Sequence, residues 1–189
     1  GAARITDCDG LMPSHDVGMA DAVQAYVQAD LKGDPCWVCL PPEAWPKEWH
    51  GKWTRPVVRL KKALYGHPDS GTMWENHCDE NLRKVGFEPL DEAWPSVYYH
   101  KDLRLMLTVY VDDFKMAGPA ENLAEGWRLI TELGRIKMEE PTGPTRYLGC
   151  EHHRIDVEVT GEFEPRHAWT SQVDATKLKP PPSLELQRV

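Results

Sequence analysis

One string constrains the fold more than any other: residues 105–116 read Leu-Met-Leu-Thr-Val-Tyr-Val-Asp-Asp-Phe-Lys-Met. A nearly continuous apolar strand ends in two adjacent carboxylates, Asp112 and Asp113, and an apolar strand then resumes. This pattern predicts antiparallel strands over 103–111 and 114–117, joined by a turn centred on the two acids. The acids can simply form a turn, since aspartate hydrogen-bonds its own backbone, or they can hold divalent cations that relieve their mutual repulsion.

The sequence around this hairpin predicts a mixture of short helices and strands. The expected helices carry an apolar stripe and cover 21–31, 72–85 and 119–134, the second opened by a capping box from Thr72 to Glu75. Further extended segments are expected at 36–40, 56–65, 96–100, 135–139 and 146–159. The predicted fold class is therefore α+β, with an antiparallel sheet backed by helices.

Length and charge limit the classes of protein that the chain can belong to. Its 189 residues suit one domain, and we expect an N-terminal tail over 1–15, a domain over 16–159 and a proline-containing tail or linker over 160–189. With 22 Lys and Arg against 30 Asp and Glu, the formal net charge of −8 excludes a uniformly basic nucleic-acid-binding surface. No apolar run has the roughly 20 residues that a membrane-spanning helix requires.

Cysteine usage indicates a reducing, intracellular compartment. The five cysteines are odd in number and scattered, unlike the paired framework of a small secreted domain. Cys36 and Cys39 form a C-x-x-C spacing, but in a strand that spacing places the two sulfurs on opposite faces. No zinc site is therefore expected, and buried free cysteines are the favoured interpretation.

The only basic patch in the sequence is a tryptophan-rich stretch, residues 45–62. It contains six basic residues against one acid, with three tryptophans between them. These tryptophans can stack bases while the cations follow phosphates, or they can pack onto the core and leave the lysines solvated; burial is the favoured alternative. The candidate nucleic-acid-binding residues are Lys52, Arg55, Arg59, Lys61 and Lys62.

Four ordered motifs resemble the copia-type reverse transcriptases of LTR retrotransposons. Tyr110-Val-Asp-Asp113 matches their Tyr-Val-Asp-Asp box, and Asp21 through Leu31 is similar to their first carboxylate box, with an aromatic residue five positions after the aspartate. Leu60-Lys-Lys-Ala-Leu-Tyr-Gly66, followed by Trp74, resembles the next box, and Tyr147-Leu-Gly-Cys-Glu151 resembles the strand after the last palm helix. The resemblance covers residues 16–151, and four motifs in order are more specific than any one of them.

The resemblance implies a right-hand polymerase palm without complete fingers and thumb. It assigns Asp21 and Asp112 to two Mg²⁺ ions that catalyse nucleotidyl transfer, with Asp113 in support. It also implies nucleotide-binding roles for Tyr26, Gly66 and Tyr110: Tyr26 would exclude a ribose 2′-hydroxyl, although packing in the core explains that residue equally well. The implied partners are an RNA template and a DNA primer, and the implied location is the cytoplasm or nucleus, with an organelle left open.

Departures from the family pattern leave a second function open. After Gly66 the family continues with Leu-Lys-Gln-Ser-Pro-Arg, whereas residues 67–72 read His-Pro-Asp-Ser-Gly-Thr and lack both cations and the Gln. The basic fingers strands expected upstream of Asp21 are also missing from this sequence. We therefore expect the chain alone to be weakly active or inactive. The alternative is a domesticated palm-like module that serves as a non-catalytic structural or binding subunit of a larger assembly.

Overall fold

Five antiparallel strands form the central sheet of the computed structural model, which describes residues 2–91 and 93–153. With strands numbered in chain order, the sheet runs β1 (His15–Asp21), β7 (Asp113–Pro119), β6 (Leu105–Tyr110), β5 (Val97–His100) and β4 (Phe87–Pro89). Two smaller antiparallel pairs lie outside it: β2 (Trp37–Cys39) with β3 (Val57–Arg59), and β8 (Arg146–Tyr147) with β9 (Cys150–Glu151). Sequential strands β4 to β7 pair as a meander, and β1 joins at the edge.

Helices cover both faces of the sheet. They are α1 (Ala2–Gly10), α2 (Ala25–Gln28), α3 (Ser70–Lys84) and α4 (Ala120–Arg128), which continues as a π-helical turn over Leu129–Leu133. The main core contains Trp74, Leu82, Phe114, Met116 and Trp127, and therefore lies between the sheet and the helices α3 and α4. Within the described residues, no helix combines the length and apolarity needed to cross a membrane.

The alternation along β7 decides which side chains share a face. Phe114 and Met116 are fully buried in the main core, whereas Lys115 and Ala117 face the opposite side, where Ala117 packs with Val17 and Tyr147. Strand pairing places Asp21 opposite Asp113 on this second face. Helix α1 contacts the same region of the sheet, and the Thr6 and Thr108 hydroxyl oxygens lie 2.6 Å apart in a buried hydrogen bond.

The α+β class and the antiparallel sheet with helices are confirmed. The helix expected over 21–31 is wrong: Asp21 ends β1, only Ala25–Gln28 is helical, and Gln24 adopts a left-handed φ of 50° that prevents a continuous helix. The capping box at Thr72 is also wrong, because α3 begins at Ser70 and both box residues lie inside it.

The structure differs from expectation in two further segments, residues 1–15 and residues 135–139. Residues 2–10 form α1, which departs from the tail expected over 1–15, and its burial of Thr6 against β6 explains the order of this segment. The extended segment expected over 135–139 contributes a single antiparallel bridge, Met138 to Ala22. The tail or linker expected over 160–189 lies outside the described residues.

Candidate active site

The three predicted catalytic carboxylates meet at the end of the β1–β7 pair. Asp21 is the last residue of β1 and stands directly opposite Asp113, the first residue of β7. The Ala22 N–H donates a hydrogen bond to the Asp112 carbonyl oxygen at 2.7 Å, which ties the chain after β1 to the β6–β7 turn. The turn consists of Val111 and Asp112 and not of the two aspartates, because Asp113 pairs with strand residues on both sides.

The electrostatics of this cluster centre on Asp113. Its carboxyl is partly buried, and burial raises its pKa; the negative charges of Asp21 and Asp112 and a hydrogen bond with Asp21 raise the pKa further. Asp21 and Asp112 are exposed at the same edge of the sheet. Three carboxylates thus crowd a solvent-accessible corner, and their repulsion is of the kind that a cation relieves.

The donor type at this corner fits magnesium. Carboxylate oxygens are the hard ligands that Mg²⁺ prefers, and the negative charges of Asp21 and Asp112 add to burial in raising the pKa of Asp113. Among residues 2–91 and 93–153, however, no group of three or more His, Cys, Asp or Glu is arranged as a ready ligand set. The chemistry of the corner therefore suits a divalent cation, while its side chains do not already surround one.

Helix α3 holds the backbone of the β6–β7 turn in place. Val111 has a left-handed φ of 55°, which is unusual for a β-branched residue and costs on the order of 1–3 kcal/mol. The Trp74 indole N–H donates to the Val111 carbonyl oxygen at 2.7 Å. Because Trp74 is itself only 2% exposed in the main core, the turn is anchored to the packed interior.

Two of the three predicted nucleotide-binding residues line one cavity. Tyr26 and Tyr110 border a cavity of about 280 Å³ beside the turn. The Tyr26 ring also lies 4.6 Å from the ring of Tyr65, centroid to centroid. Gly66 does not line this cavity; it occupies an exposed loop with φ 91°, a conformation that glycine adopts without strain.

The predicted basic patch lies on and beside the β2–β3 ribbon. All five of its residues are exposed: Lys52, Arg55, Arg59, Lys61 and Lys62. The favoured burial of its tryptophans is wrong for Trp53, which is 60% exposed, while Trp45 and Trp49 are only partly buried. The ribbon is a two-stranded pair apart from the central sheet, so neither hydrophobic cluster extends to these side chains.

The sequence patterns did not predict a second group of cations, which contains Arg135 and Lys137. Arg135 and Lys137 line a cavity together with Lys62, although 73 residues separate Lys62 from Arg135 in the printed sequence. The sequence does alternate between charged and apolar residues here. Arg135 and Lys137 flank Ile136, which is fully buried, so both cations are directed away from the core. Only the fold reveals that Lys62 joins them.

Comparison with known proteins identifies the class. A family model described as reverse transcriptase (RNA-dependent DNA polymerase) matches residues 12–163, and the chain belongs to this family. Among its relatives, the transposon Ty1-BL Gag-Pol polyprotein of Saccharomyces cerevisiae is 27% identical over 149 residues, covering 78% of this chain. The transposon TyH3 Gag-Pol polyprotein of the same species is 28% identical over 142 residues, 75% of the chain, and a transposon Ty5-1 protein is 25% identical over 133 residues, 67% of the chain.

These relatives also confirm the particular branch that the motifs indicated. Ty1 is a copia-type element, and the chain is a copia-type reverse transcriptase segment. It spans 8% of the length of the Ty1-BL polyprotein, 7% of TyH3 and 42% of the Ty5-1 protein.

Proposed function

We propose that this chain supplies the palm of a copia-type RNA-directed DNA polymerase. The observation that carries the proposal is the direct pairing of Asp21 with Asp113 at the end of the sheet, with Asp112 in the adjoining turn. These acids come from two chain segments separated by about ninety residues in the printed sequence, and the antiparallel sheet brings them to one corner. A plain hairpin turn needs no third carboxylate from another strand.

Each acid has a distinct part in the proposed reaction. Asp21 and Asp112 are exposed and would hold the ions, while the partly buried Asp113 shares a hydrogen bond with Asp21 and supports its position. Two bound Mg²⁺ ions supply activation of a primer 3′-hydroxyl and stabilisation of the pyrophosphate leaving group. Tyr26 would limit the sugar of the nucleotide, and its position on the adjoining cavity supports this role.

The isolated chain is expected to be a weak polymerase. Residues 67–72 replace the two cations and the glutamine that the family carries after Gly66, and they add Asp69. An added acid near the nucleotide repels the triphosphate of the substrate. Activity would therefore depend on basic groups supplied by other parts of the polymerase.

Primer extension tests the proposal. We would assay the chain alone and a chimera in which residues 12–152 replace the corresponding part of the Ty1 reverse transcriptase, with an RNA template, a DNA primer and Mg²⁺. In an active chimera, Asp21→Asn and Asp112→Asn should each lower extension about a hundredfold or more, because they remove charge that stabilises the transition state. Asp102→Asn, a control at an exposed acid in the β5–β6 turn, should leave extension unchanged.

Two results would contradict catalysis. One is a folded chimera that extends no primer, and the other is an Asp112→Asn chimera as active as its parent.

A non-catalytic subunit is the second candidate, favoured by exposed apolar side chains on the β2–β3 ribbon. Trp37 is 58% exposed and Val57 is 56% exposed, and side chains of this kind are typical of protein interfaces. Purification of the native protein, followed by identification of what co-migrates with it, tests this function. A stable partner complex without polymerase activity would support it, and a lone monomer would contradict it.

A further inference from the structure

Helix α1 covers part of the sheet face that carries the proposed catalytic acids. It contacts β1, β6 and β7 on the side opposite to the main core. Asp21, Asp113 and Lys115 share this face, because Asp21 pairs with Asp113 and Lys115 follows Asp113 by two residues along β7. Lys115 therefore lies about 7 Å along the strand from Asp113. A primer end that reaches these acids must approach over the face that α1 partly covers.

Polar groups make the buried contacts between α1 and the sheet. Thr6 is fully buried, and its hydroxyl oxygen lies 2.6 Å from that of Thr108 on β6. Asp7 pairs with the ammonium of Lys115, which is itself fully buried. The Nε2 atom of His152 stands 3.1 Å from that ammonium and 3.7 Å from the Asp7 carboxylate. A carboxylate of α1 therefore occupies the place at which Lys115 would meet any other anion on this face.

Buried apolar side chains contribute little to the docking of α1. Of the nine residues Ala2–Gly10, only Thr6 and Gly10 are buried, Ala3 packs partly against the apolar cluster on this face, and Ile5 is 41% exposed. A helix of this length is also shorter than the roughly 12–15 residues that an isolated helix needs in water. The loss of a few polar contacts is therefore sufficient to release α1 from the sheet.

The link between α1 and β1 is suited to act as a hinge. Residues 11–14 are all exposed, and Ser14 adopts a left-handed φ of 64°. The Ala120 N–H donates to the Ser14 carbonyl oxygen at 3.0 Å, which fixes the end of the link next to β1. At the other end, Gly10 approaches β1 so closely that a Cβ atom added to it would overlap the Val17 side chain. Rotation within the link would therefore lift α1 and leave the sheet in place.

The covered face contains a polar group that α1 leaves unsatisfied. Tyr147 is 4% exposed, and its hydroxyl has no hydrogen-bond partner among the described residues. Its ring centroid lies 4.8 Å from the Lys115 ammonium, and the charges of Asp113 and Asp7 add to burial in raising the pKa of the hydroxyl. A buried polar group without a partner costs on the order of 1–3 kcal/mol, and removal of the cover would let this hydroxyl find one.

We propose that α1 is an autoinhibitory cover, which a primer–template duplex must displace before its primer end reaches Asp21 and Asp112. In the covered state the Asp7 carboxylate neutralises the Lys115 ammonium. Displacement makes that ammonium available to the negative charge of the duplex, so the duplex binds the open state better than the covered one and shifts the equilibrium towards it. The inference rests on the proposed function for the identity of the duplex, but the displacement itself needs no catalysis.

A reversible disulfide tests the cover on the chain as it exists. The double variant Thr6→Cys/Thr108→Cys places two thiols where the hydroxyl oxygens lie 2.6 Å apart, so oxidation should lock α1 to β6. Fluorescence anisotropy should show that the oxidised form binds an RNA–DNA hybrid duplex about tenfold more weakly than the same protein after reduction. The matched control, Thr6→Cys alone, lacks the second thiol and should bind equally under both conditions. Mass spectrometry of peptides verifies the cross-link.

Gly10→Ala tests the opposite change, a loosened cover. Its added Cβ atom overlaps Val17 only while α1 is docked, so this variant should bind the duplex several-fold more tightly than the wild type. Gly143→Ala is the matched control, since a Cβ atom there meets nothing, and it should keep the wild-type affinity. Thermal unfolding of each variant verifies that it is folded.

Hydrogen exchange of the wild type follows the displacement directly. Addition of the duplex should remove protection from the backbone amides of residues 6–10 and leave the amides of β6 protected.

Three outcomes would overturn the inference: no form of the chain binds the duplex, the oxidised and reduced forms bind it equally, or α1 keeps its protection in the bound chain. The inference and the proposed function can fail separately. Duplex binding that the disulfide controls, together with an inactive chimera, keeps the cover and removes catalysis. An active chimera, together with duplex binding that the disulfide does not affect, keeps catalysis and removes the cover.

Discussion

Asp113 is the residue at which position and chemistry are most closely coupled. Burial and the charges of Asp21 and Asp112 raise the pKa of its carboxyl above the ordinary value of 3.8. The folded state therefore binds this proton more tightly than the unfolded chain does. Its contribution to stability is present below the ordinary pKa and is lost as the pH rises through the raised value.

The first prediction concerns the pH dependence of stability. Asp113→Asn should be more stable than the wild type at pH 7, because it removes the ionisation that the fold disfavours, and the difference should vanish below pH 3.8, the ordinary pKa. Urea unfolding across acid and neutral pH measures this difference. Asp102→Asn serves as a control at an exposed turn, and identical profiles for Asp113→Asn and the wild type would contradict the prediction.

The second prediction concerns Trp74, which links α3 to the turn. Trp74→Phe removes the indole donor and leaves the Val111 carbonyl oxygen without it, so we expect a loss of about 1–3 kcal/mol in the free energy of unfolding. The Ala22 amide, bonded to Asp112 in the same turn, should also exchange its hydrogen faster. Trp127→Phe is the matched control, since that indole lies against Gly18 and not against the turn. Equal exchange at Ala22 in the two variants would show that Trp74 does not hold the turn.

At the scale of elements, Lys115 joins three parts of the fold. Its side chain is fully buried on β7, pairs with Asp7 of α1 and lies 3.1 Å from the Nε2 atom of His152 after β9. Its ammonium also stands 4.8 Å from the centroid of the Tyr147 ring on β8. One buried cation therefore connects α1, the central sheet and the β8–β9 pair.

The third prediction follows from the cost of an unpaired buried charge. Asp7→Ala should lower the free energy of unfolding by about 3 kcal/mol, at the low end for buried pairs because the Asp7 side chain is 31% exposed. Lys115→Met should stay within about 1 kcal/mol of the wild type, because an apolar side chain of similar size fills the buried position and the Asp7 carboxylate left behind is 31% exposed and can be hydrated. Urea unfolding of both single variants and the double variant measures the coupling. A Lys115→Met variant as unstable as Asp7→Ala would contradict this account.

At the scale of the whole molecule, the distribution of charge is more informative than its sum. The net charge is −8, yet exposed cations collect around the β2–β3 ribbon and in the cavity beside Asp21. The exposed Trp53 accompanies the cations of the ribbon. Within the described residues, the ribbon and this cavity therefore offer a nucleic acid two local groups of cations, although the net charge of the chain is −8.

The fourth prediction is that the chain binds single-stranded oligonucleotides weakly and with strong salt dependence. We would replace Lys52, Arg55, Arg59 and Lys61 by Gln. The plot of the logarithm of the association constant against the logarithm of the salt concentration should then become less steep by up to about 3, because each phosphate contact contributes about 0.7 to the slope. Trp53→Ala should weaken binding with little change in slope, since stacking carries no charge. Filter binding at several salt concentrations measures both effects. Affinity that is absent, or that does not respond to salt, would contradict a nucleic-acid role for the ribbon.

The sequence alone determined the family, the α+β class and the central hairpin. Those predictions rest on local signals: four short motifs in order, the apolar run before Asp112, and the row of apolar residues along one face of each of the helices α3 and α4. Local patterns predicted the wrong secondary structure where a strand distant in the sequence pairs with the same residues. The sequence predicts a helix over 21–31, but the pairing of Asp21 with Asp113 makes Asp21 the end of a strand, and only Ala25–Gln28 is helical.

Tertiary structure alone decided which charged groups outside the family motifs act together. The burial of Lys115 against Asp7 and the meeting of Lys62 with Arg135 and Lys137 both join segments far apart in the chain. The family resemblance had already grouped Asp21 with Asp112 and Asp113. Sequence patterning reports whether a side chain faces the core or solvent, because periodicity is local. It carries no information on which exposed or buried charge will be the neighbour of another, since that depends on strand order and register.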